Sequence, residues 1–266
     1  MIKKLALAIA IAAIFATGSM VYAGQFGPPE PAAKEGKAAL GIGYFNYSAK
    51  WKPKDSDGDE DKVIRQNQTY LQLSYGLAKN WEAYLRVGGA DSKIKDTFWT
   101  SADEAALSGF KPDFKDGYKP FGTIGVKGVF NITPSFGIGP FFQASLYSSY
   151  KDSTSGTYDV PPVTPASQEI KVKNPWDINI GVGLQGKIGE TIIYGGPVAY
   201  WTKAKGEWTG TIEGVGTDTE SVTLKEKNNI GGFAGLRLPL GKGLNLEVEG
   251  QLKSRFSMGG ALTYSF

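Results

Sequence analysis

The amino-acid sequence predicts an all-β protein, an antiparallel up-and-down transmembrane β-barrel of ten strands. Three observations predict this fold. Apolar and polar residues alternate with a period of two through most of the chain. Short and long connections between the alternating segments follow each other in turn. The segments run for roughly 10 to 15 residues, which is longer than most strands of soluble sheets and fits a tilted strand that crosses a bilayer.

The first 23 residues have the pattern of a secretory signal peptide. Lys3 and Lys4 precede an apolar run of 12 residues, and a small-residue cleavage pattern ends at Ala23. The run is too short for a membrane-spanning helix. We therefore expect three regions, which are a signal peptide (residues 1–23), an extended Pro- and Gly-rich periplasmic lead-in (residues 24–37) and the transmembrane barrel domain (residues 38–266).

The ten strands are predicted by alternation in every case, although three of them are less regular. The first has apolar residues on both faces, for example Leu40 and Phe45, which predicts a bulge. Pro140 and Pro197 interrupt the fifth and seventh strands and predict irregular pairing there. In chain order the predicted strands are 38–51, 65–77, 81–90, 119–131, 136–150, 175–188, 191–203, 229–239, 244–253 and 256–266.

The connections support a membrane barrel independently of the strands. The connections after the second, fourth, sixth and eighth strands are short, whereas those after the first, third, fifth and seventh are long. The connection after the ninth strand is also short, which departs from this alternation. This rhythm predicts short periplasmic turns and long extracellular loops. A soluble β-sandwich also alternates, but its dry core would not tolerate charges along the inward faces. The long loops are residues 52–64, 91–118, 151–174 and 204–228.

Charged residues on the polar faces are the candidate lining of the barrel lumen. Both signs occur on neighbouring strands, and Arg237 faces the strand of Glu247 and Glu249. Such charges either pair and plug a narrow barrel or line a small pore and set its ion preference. A ten-stranded barrel is nearer the filled than the open end of the size range, which favours a plug or a narrow gated pore over an open porin. The candidates are Glu82, Arg86, Lys127, Asp177, Lys187, Arg237, Glu247, Glu249 and Lys253.

Aromatic residues gather at the ends of the predicted strands, where membrane-interface girdles belong. The candidates for these girdles are Trp51, Trp81, Trp176, Trp201 and Phe266.

Composition argues against most catalytic chemistry. The chain has no Cys and no His, so no thiolate nucleophile, no Ser-His or Cys-His couple and no conventional zinc site can form. We expect neither an enzyme nor a resident cofactor. With 29 basic and 26 acidic residues the charge is nearly balanced, which does not suggest nucleic-acid binding.

An acidic stretch in the first long loop is predicted to be a solvated loop, with a Ca²⁺ site as the weaker alternative. Its carboxylates are Asp55, Asp57, Asp59 and Asp61.

The closing residues Gly259 to Phe266, which read GGALTYSF and end in an aromatic residue, resemble the C-terminal assembly signal of Gram-negative outer-membrane β-barrel proteins. The whole chain beyond the leader is similar in style to the small members of that superfamily, those with about 8 to 12 strands. The resemblance implies residence in the outer membrane after export. It also implies contact with outer-membrane lipid and lipopolysaccharide, handling by periplasmic chaperones and insertion by the barrel-assembly machinery.

Two functions remain open from the sequence. The first is a narrow channel or structural barrel for small polar solutes or ions. The alternative is a loop-mediated binding or adhesion protein without transport activity, in which residues 204–227 extend strands seven and eight above the membrane as a platform.

Overall fold

The computed structural model describes residues 25–54, 61–98 and 106–266. Within these ranges no helix has the length and apolar character needed to span a membrane. The described residues form strands numbered here in chain order: β1 (Ala38–Pro53), β2 (Lys62–Ala78), β3 (Trp81–Ile94), β4 (Leu107–Ser108), β5 (Phe114–Gly128), β6 (Phe130–Asn131), β7 (Phe136–Tyr147), β8 (Tyr150–Tyr158), β9 (Thr164–Ile188), β10 (Thr191–Ile212), β11 (Gly216–Glu226), β12 (Ile230–Gly241), β13 (Leu244–Leu252) and β14 (Phe256–Ser265).

Ten of these strands form a closed antiparallel barrel. They are paired in the order β1-β2-β3-β5-β7-β9-β10-β12-β13-β14, and β14 pairs back with β1. Each corresponds to one strand predicted from the alternation, so the ten-stranded prediction is confirmed. We call the end with the short connections the turn end and the end with the four long connections the loop end.

The remaining strands mainly raise the wall at the loop end. β9 has 25 residues and β10 has 22, and their outer parts extend well beyond the rest of the ring. β8 pairs with the outer part of β9, and β4 pairs with β8. β11 pairs with the outer part of β10 and then meets the end of β1, where Trp51 lies opposite Glu226. Much of the predicted loops 151–174 and 204–228 is therefore sheet.

The outer surface of the barrel is apolar while many inward side chains on the same strands are polar. This inversion of an ordinary protein surface is the arrangement of a barrel that faces lipid. It follows from the strict alternation, since successive residues of a strand point to opposite faces. Exposed outward side chains include Leu40, Leu71, Leu73, Leu77, Leu85, Val87, Ile124, Leu146, Ile180, Val182, Leu184 and Ile193.

The bulge predicted in the first strand is wrong. β1 keeps one continuous register with both β2 and β14. Leu40 points outward and Phe45 points inward, in phase with Ala39. Apolar residues occupy both faces because the interior itself becomes apolar toward the loop end. Pro140 and Pro197 each lie at a short gap in one ladder, as predicted, and neither gap shifts the register.

The N-terminal segment, residues 25–37, does not form the predicted periplasmic lead-in. It enters the barrel at the turn end, where the backbone of Gly36 donates to the carbonyl of Gly76 at 2.9 Å, and it runs up the lumen toward Gln25. Phe26 and Ala33 are each only 1% exposed. The lead-in prediction failed because it considered the composition of the segment without the hydrogen-bonding groups that the lumen offers to it.

Candidate functional site: the filled interior of the barrel

The predicted lumen charges lie in the turn-end half of the interior, around the N-terminal segment. Eight of the nine are less than 9% exposed, which places them inside the barrel: Glu82, Arg86, Lys127, Asp177, Arg237, Glu247, Glu249 and Lys253. Lys187 is the exception, because it lies at the turn-end rim with 32% of its side chain exposed.

Glu249 anchors the start of the segment. Its carboxylate accepts hydrogen bonds from three consecutive backbone N–H groups, those of Gln25 at 3.0 Å, Phe26 at 3.1 Å and Gly27 at 2.8 Å. Glu249 lies opposite Gly259 of β14, and its carboxylate also accepts hydrogen bonds from the Gln251 amide at 2.8 Å and the Tyr194 hydroxyl at 3.2 Å. Unpaired buried N–H groups are costly, and a single carboxylate satisfies this run of donors.

Glu82 provides a second anchor lower in the lumen. It accepts the backbone N–H groups of Ala32 at 2.6 Å and Ala33 at 2.9 Å. The ammonium of Lys127 lies 3.7 Å from the same carboxylate. The prolines between the two anchors have no N–H, so this part of the segment brings few donors into the lumen.

Cationic and hydroxyl donors hold the carbonyl groups of the segment. Arg86 Nη1 donates to the carbonyl of Gln25 at 2.6 Å, and Arg237 Nη1 donates to that of Glu30 at 3.1 Å. Ser265 Oγ donates to the carbonyl of Ala32 at 2.7 Å. The barrel therefore binds the backbone of the segment at both its donors and its acceptors.

The side chains of Phe26 and Glu30 add further contacts between the segment and the wall. The ring of Phe26 lies 4.6 Å from that of Phe141 and 5.2 Å from that of Phe233, between centroids. Near the turn end, Glu30 forms an ion pair of 2.5 Å with Lys187. The segment is thus fixed at its apolar tip and at its charged base.

Arg237 and Glu247 form the ion pair that the sequence suggested, but along the wall of the barrel. They are directly opposite each other on β12 and β13. The guanidinium reaches the carboxylate through Nε at 2.8 Å and Nη2 at 2.7 Å. This is a charge-assisted contact between neighbours in one sheet, and the N-terminal segment, not the pair itself, spans the lumen.

Asp177 and Lys253 are joined through an amide above the segment. Lys253 Nζ donates to Asn179 Oδ1 at 2.6 Å, and the amide nitrogen of Asn179 donates to Asp177. The hydroxyl of Tyr147 also donates to Asp177, at 2.9 Å. The ammonium of Lys253 lies 4.7 Å from the ring centroid of Tyr200. These groups form the upper boundary of the polar half.

The loop-end half of the interior is filled by wall side chains, which we call the apolar cluster. A cavity of only about 20 Å³ separates the cluster from Gln25 and Asp177, room for about one water molecule. The buried members of the cluster are Phe45, Tyr47, Ala49, Trp51, Ile64, Ile94, Phe98, Phe114, Tyr150, Ile170, Val172 and Ala204.

One membrane-interface prediction is wrong. Trp51 is only 5% exposed, belongs to the apolar cluster, and donates its indole N–H to the hydroxyl of Tyr47 at 3.3 Å. Trp51 points inward because it is an even number of residues from Phe45 on β1, and such residues lie on the same face of a strand. Trp81 and Trp176 are partly exposed on the outer surface, and Trp201 and Phe266 are 44% and 53% exposed.

The acidic first loop is only partly covered by the structure, because Asp55, Asp57 and Asp59 lie outside the described residues. Asp61 forms ion pairs with Lys227 at 2.6 Å and Lys50 at 3.7 Å, which lower the pKa of its carboxyl. Among the described residues no cluster of three or more metal-binding side chains occurs.

No protein-family profile and no curated protein sequence matches this chain. Solved structures with a similar fold do exist. The translocator domain of autotransporter NalP from Neisseria meningitidis is 12% identical with a TM-score of 0.46, over 86% of this chain and 88% of that one. The toluene transporter TodX from Pseudomonas putida is 11% identical with a TM-score of 0.36, over 93% and 97%. The KdgM porin is 13% identical with a TM-score of 0.30, over 85% and 99%.

These similarities are low, so the fold assignment rests on the strand pairing and burial of this chain itself. Its closed ring, apolar exterior and filled interior define a transmembrane β-barrel without reference to any neighbour.

Proposed function

We propose that this protein is an integral outer-membrane β-barrel that acts as a narrow channel for small polar solutes or ions and is closed in the conformation seen here. One observation carries the proposal. The interior is occupied along its length, first by the N-terminal segment anchored on Glu82 and Glu249 and then by the apolar cluster. A permanent plug needs no polar wall, whereas a segment held by hydrogen bonds, one ion pair and one aromatic tip can leave a polar lumen behind it.

The N-terminal segment and the apolar cluster close the lumen one after the other, so the experiment weakens each closure separately and then both together. Phe26→Ala with Glu249→Ala weakens the first closure, and Trp51→Ala with Tyr150→Ala opens the second. Because a current must pass both, each double variant should raise single-channel conductance little, and the combination of all four changes should raise it far more than their sum. Planar-bilayer recordings measure this directly.

A matched control uses the same residue types on the outside of the barrel. Phe136 is 41% exposed and Glu190 lies in an exposed turn, so Phe136→Ala with Glu190→Ala should conduct like the parent. Heat-modifiable migration of each variant in gels verifies that the barrel is folded. A folded fourfold variant that still does not conduct would contradict the channel proposal.

A structural barrel with loop-mediated binding is the second candidate, and one observation favours it. A cleft of about 380 Å³ opens at the loop end between Phe110 of the second long loop and Trp208 of β10. Phe110 lies against Gly156 and Trp208 lies against Gly210. A Cβ atom at these glycines would be 2.8 Å and 2.4 Å from the respective rings. A cleft of this size suits a small ligand. Absence of conductance in the folded fourfold variant would favour this candidate.

A further inference from the structure

Three lysines lie side by side on adjacent strands at the outer surface of the loop end. Lys225 of β11 is directly opposite Lys52 of β1 on one side and Lys203 of β10 on the other. Their respective chain neighbours Trp51, Ala204 and Glu226 are buried, so the three lysine side chains point outward. We call Lys52, Lys203 and Lys225 the lysine row.

Like charges directly opposite each other destabilise a sheet, so such a row is stabilised by an anionic partner. Nearby lysines have one. Lys171 lies 2.6 Å from Glu169, and Lys173 lies 2.7 Å from Glu207. In contrast, none of the three row lysines has a carboxylate within ion-pair distance in the part of the chain that the structure describes. No carboxylate in the described part of the chain neutralises the row, so its three ammonium groups are open to an anionic partner.

The position of the row indicates what that partner is. Trp201 lies two residues below Lys203 on the same outward face and is 44% exposed, as expected for an aromatic residue at a membrane interface. β13 and β14 end lower than their neighbours, and β11 passes above them to reach β1. At the end of this short hairpin, Leu252 and Phe256 are 64% and 59% exposed to the outside. The surface therefore offers acyl-chain contacts below and cationic contacts directly above.

We propose that the lysine row binds the phosphate groups of an anionic lipid of the outer leaflet, with its acyl chains against the β13–β14 hairpin. A phosphate carries enough charge and acceptor oxygens to bridge neighbouring ammonium groups, and basic residues at a membrane surface attract anionic lipid. The inference rests on the proposed membrane residence but not on conduction.

The experiment titrates the full-length protein in neutral detergent with bisphosphorylated lipid A, dephosphorylated lipid A and inorganic phosphate, and detects binding by native mass spectrometry. The row variant K52Q/K203Q/K225Q should bind bisphosphorylated lipid A at least about tenfold more weakly than the parent. The matched control is K151Q/K171Q/K173Q, which removes the same number of lysines from carboxylate-paired positions on β8 and β9. Its affinity should stay within about twofold of the parent, as for surface ion pairs of small energy.

Thermal unfolding separates ligand binding from a structural role. Without lipid, the row variant should melt at or above the temperature of the parent, because its like-charge repulsion is removed. Lipid A should raise the melting temperature of the parent and not that of the row variant. A lower melting temperature of the row variant without lipid would overturn the proposal, since the lysines would then stabilise the protein themselves.

The remaining outcomes are equally decisive. Equal loss of affinity in both triple variants would show general charge attraction and overturn the site. Displacement of lipid A by millimolar inorganic phosphate would show a free-phosphate site instead of a lipid site. Recovery of the native protein in a soluble fraction would overturn the membrane barrel itself, independently of how the purified variants bind.

Discussion

The turn-end half of the barrel interior is filled mainly by charged and amide side chains around a chain segment, whereas the loop-end half is filled mainly by aromatic and aliphatic side chains. The difference follows from what each half must satisfy. The N-terminal segment brings backbone N–H and C=O groups into the lumen, and these require partners such as Glu82, Arg86 and Glu249. The loop-end half receives no such segment among the described residues, so side chains can pack there as in an ordinary core.

The two halves of the interior differ in how firmly their contents are attached to the barrel wall. Apart from Phe98, the apolar cluster is carried by strands, so it can be displaced only when side chains of the wall itself rearrange. The N-terminal segment is continuous with the wall only at Ala38. Apart from backbone hydrogen bonds of Gly36 and Lys37 with Gly76, it is held by contacts with side chains of the wall. We therefore expect large stability losses from substitutions in the apolar cluster, and smaller losses together with altered closure from those in the polar half.

The largest expected effect is in the apolar cluster. Phe114 is fully buried at the start of β5, and Phe114→Ala leaves a cavity among rigid neighbours. The free energy of unfolding should fall by about 3–5 kcal/mol, as measured by denaturant unfolding in detergent or lipid. Phe136→Ala on the outer surface is the control and should change it by less than about 1 kcal/mol. Equal losses for the two would mean that the loop-end half is not a packed core.

The next effect is in the polar half. Glu249→Ala removes the acceptor of three backbone N–H groups, and each buried donor without a partner costs about 1–3 kcal/mol if water does not replace the carboxylate. We expect a loss of about 3 kcal/mol together with faster protease cleavage near Gln25. If Glu249→Ala leaves the protease pattern unchanged, the segment is held mainly by Phe26 and Glu30.

The barrel was predictable from sequence because alternation reports directly on which face a residue takes. The inward position of Trp51 could also have been found, since it continues the odd-numbered series of Phe45 and Tyr47 along β1. An aromatic residue at the end of a strand indicates a membrane-interface girdle only when the alternation places its side chain on the outer face of the barrel.

The filling of the polar half was not predictable in the same way. Glu249 was identified as a lumen residue, but the donors through which it holds the segment are backbone groups more than 200 positions away in the chain. Backbone N–H groups are the same in every residue except proline, so no pattern of residue types marks them. The one available signal was that Gly27 to Pro31 brings few donors and suits a confined, extended path.

A smaller effect is the coupling within the Arg237–Glu247 pair. Each single change to Ala leaves a buried charge without its partner, and the double change removes both charges. The double variant should therefore be less destabilised than the sum of the single variants, by about 1–2 kcal/mol in a double-mutant cycle. An additive cycle would mean that Glu30 and Lys127 screen the pair, so that the polar half behaves as one network without a dominant contact.

The smallest expected effect concerns the exposed ion pairs of Glu169 and Glu207, which lie outside both halves of the interior. Hydrogen bonds from Lys151 and Lys171 lower the pKa of Glu169, and a hydrogen bond from Lys173 lowers the pKa of Glu207. A carboxyl whose folded pKa is lowered stabilises the protein above its unfolded value of about 4.3, and this contribution is lost as pH falls through the folded pKa.

Melting temperatures recorded between about pH 6 and pH 3 should therefore fall slightly less steeply for Glu169→Gln with Glu207→Gln than for the parent. Glu213→Gln is the control, because Glu213 has no lysine within ion-pair distance in the described part of the chain, and it should follow the parent. A pH dependence of the double variant as steep as that of the parent would assign acid sensitivity to the buried carboxylates. The polar half would then limit stability at low pH even though it is shielded from solvent.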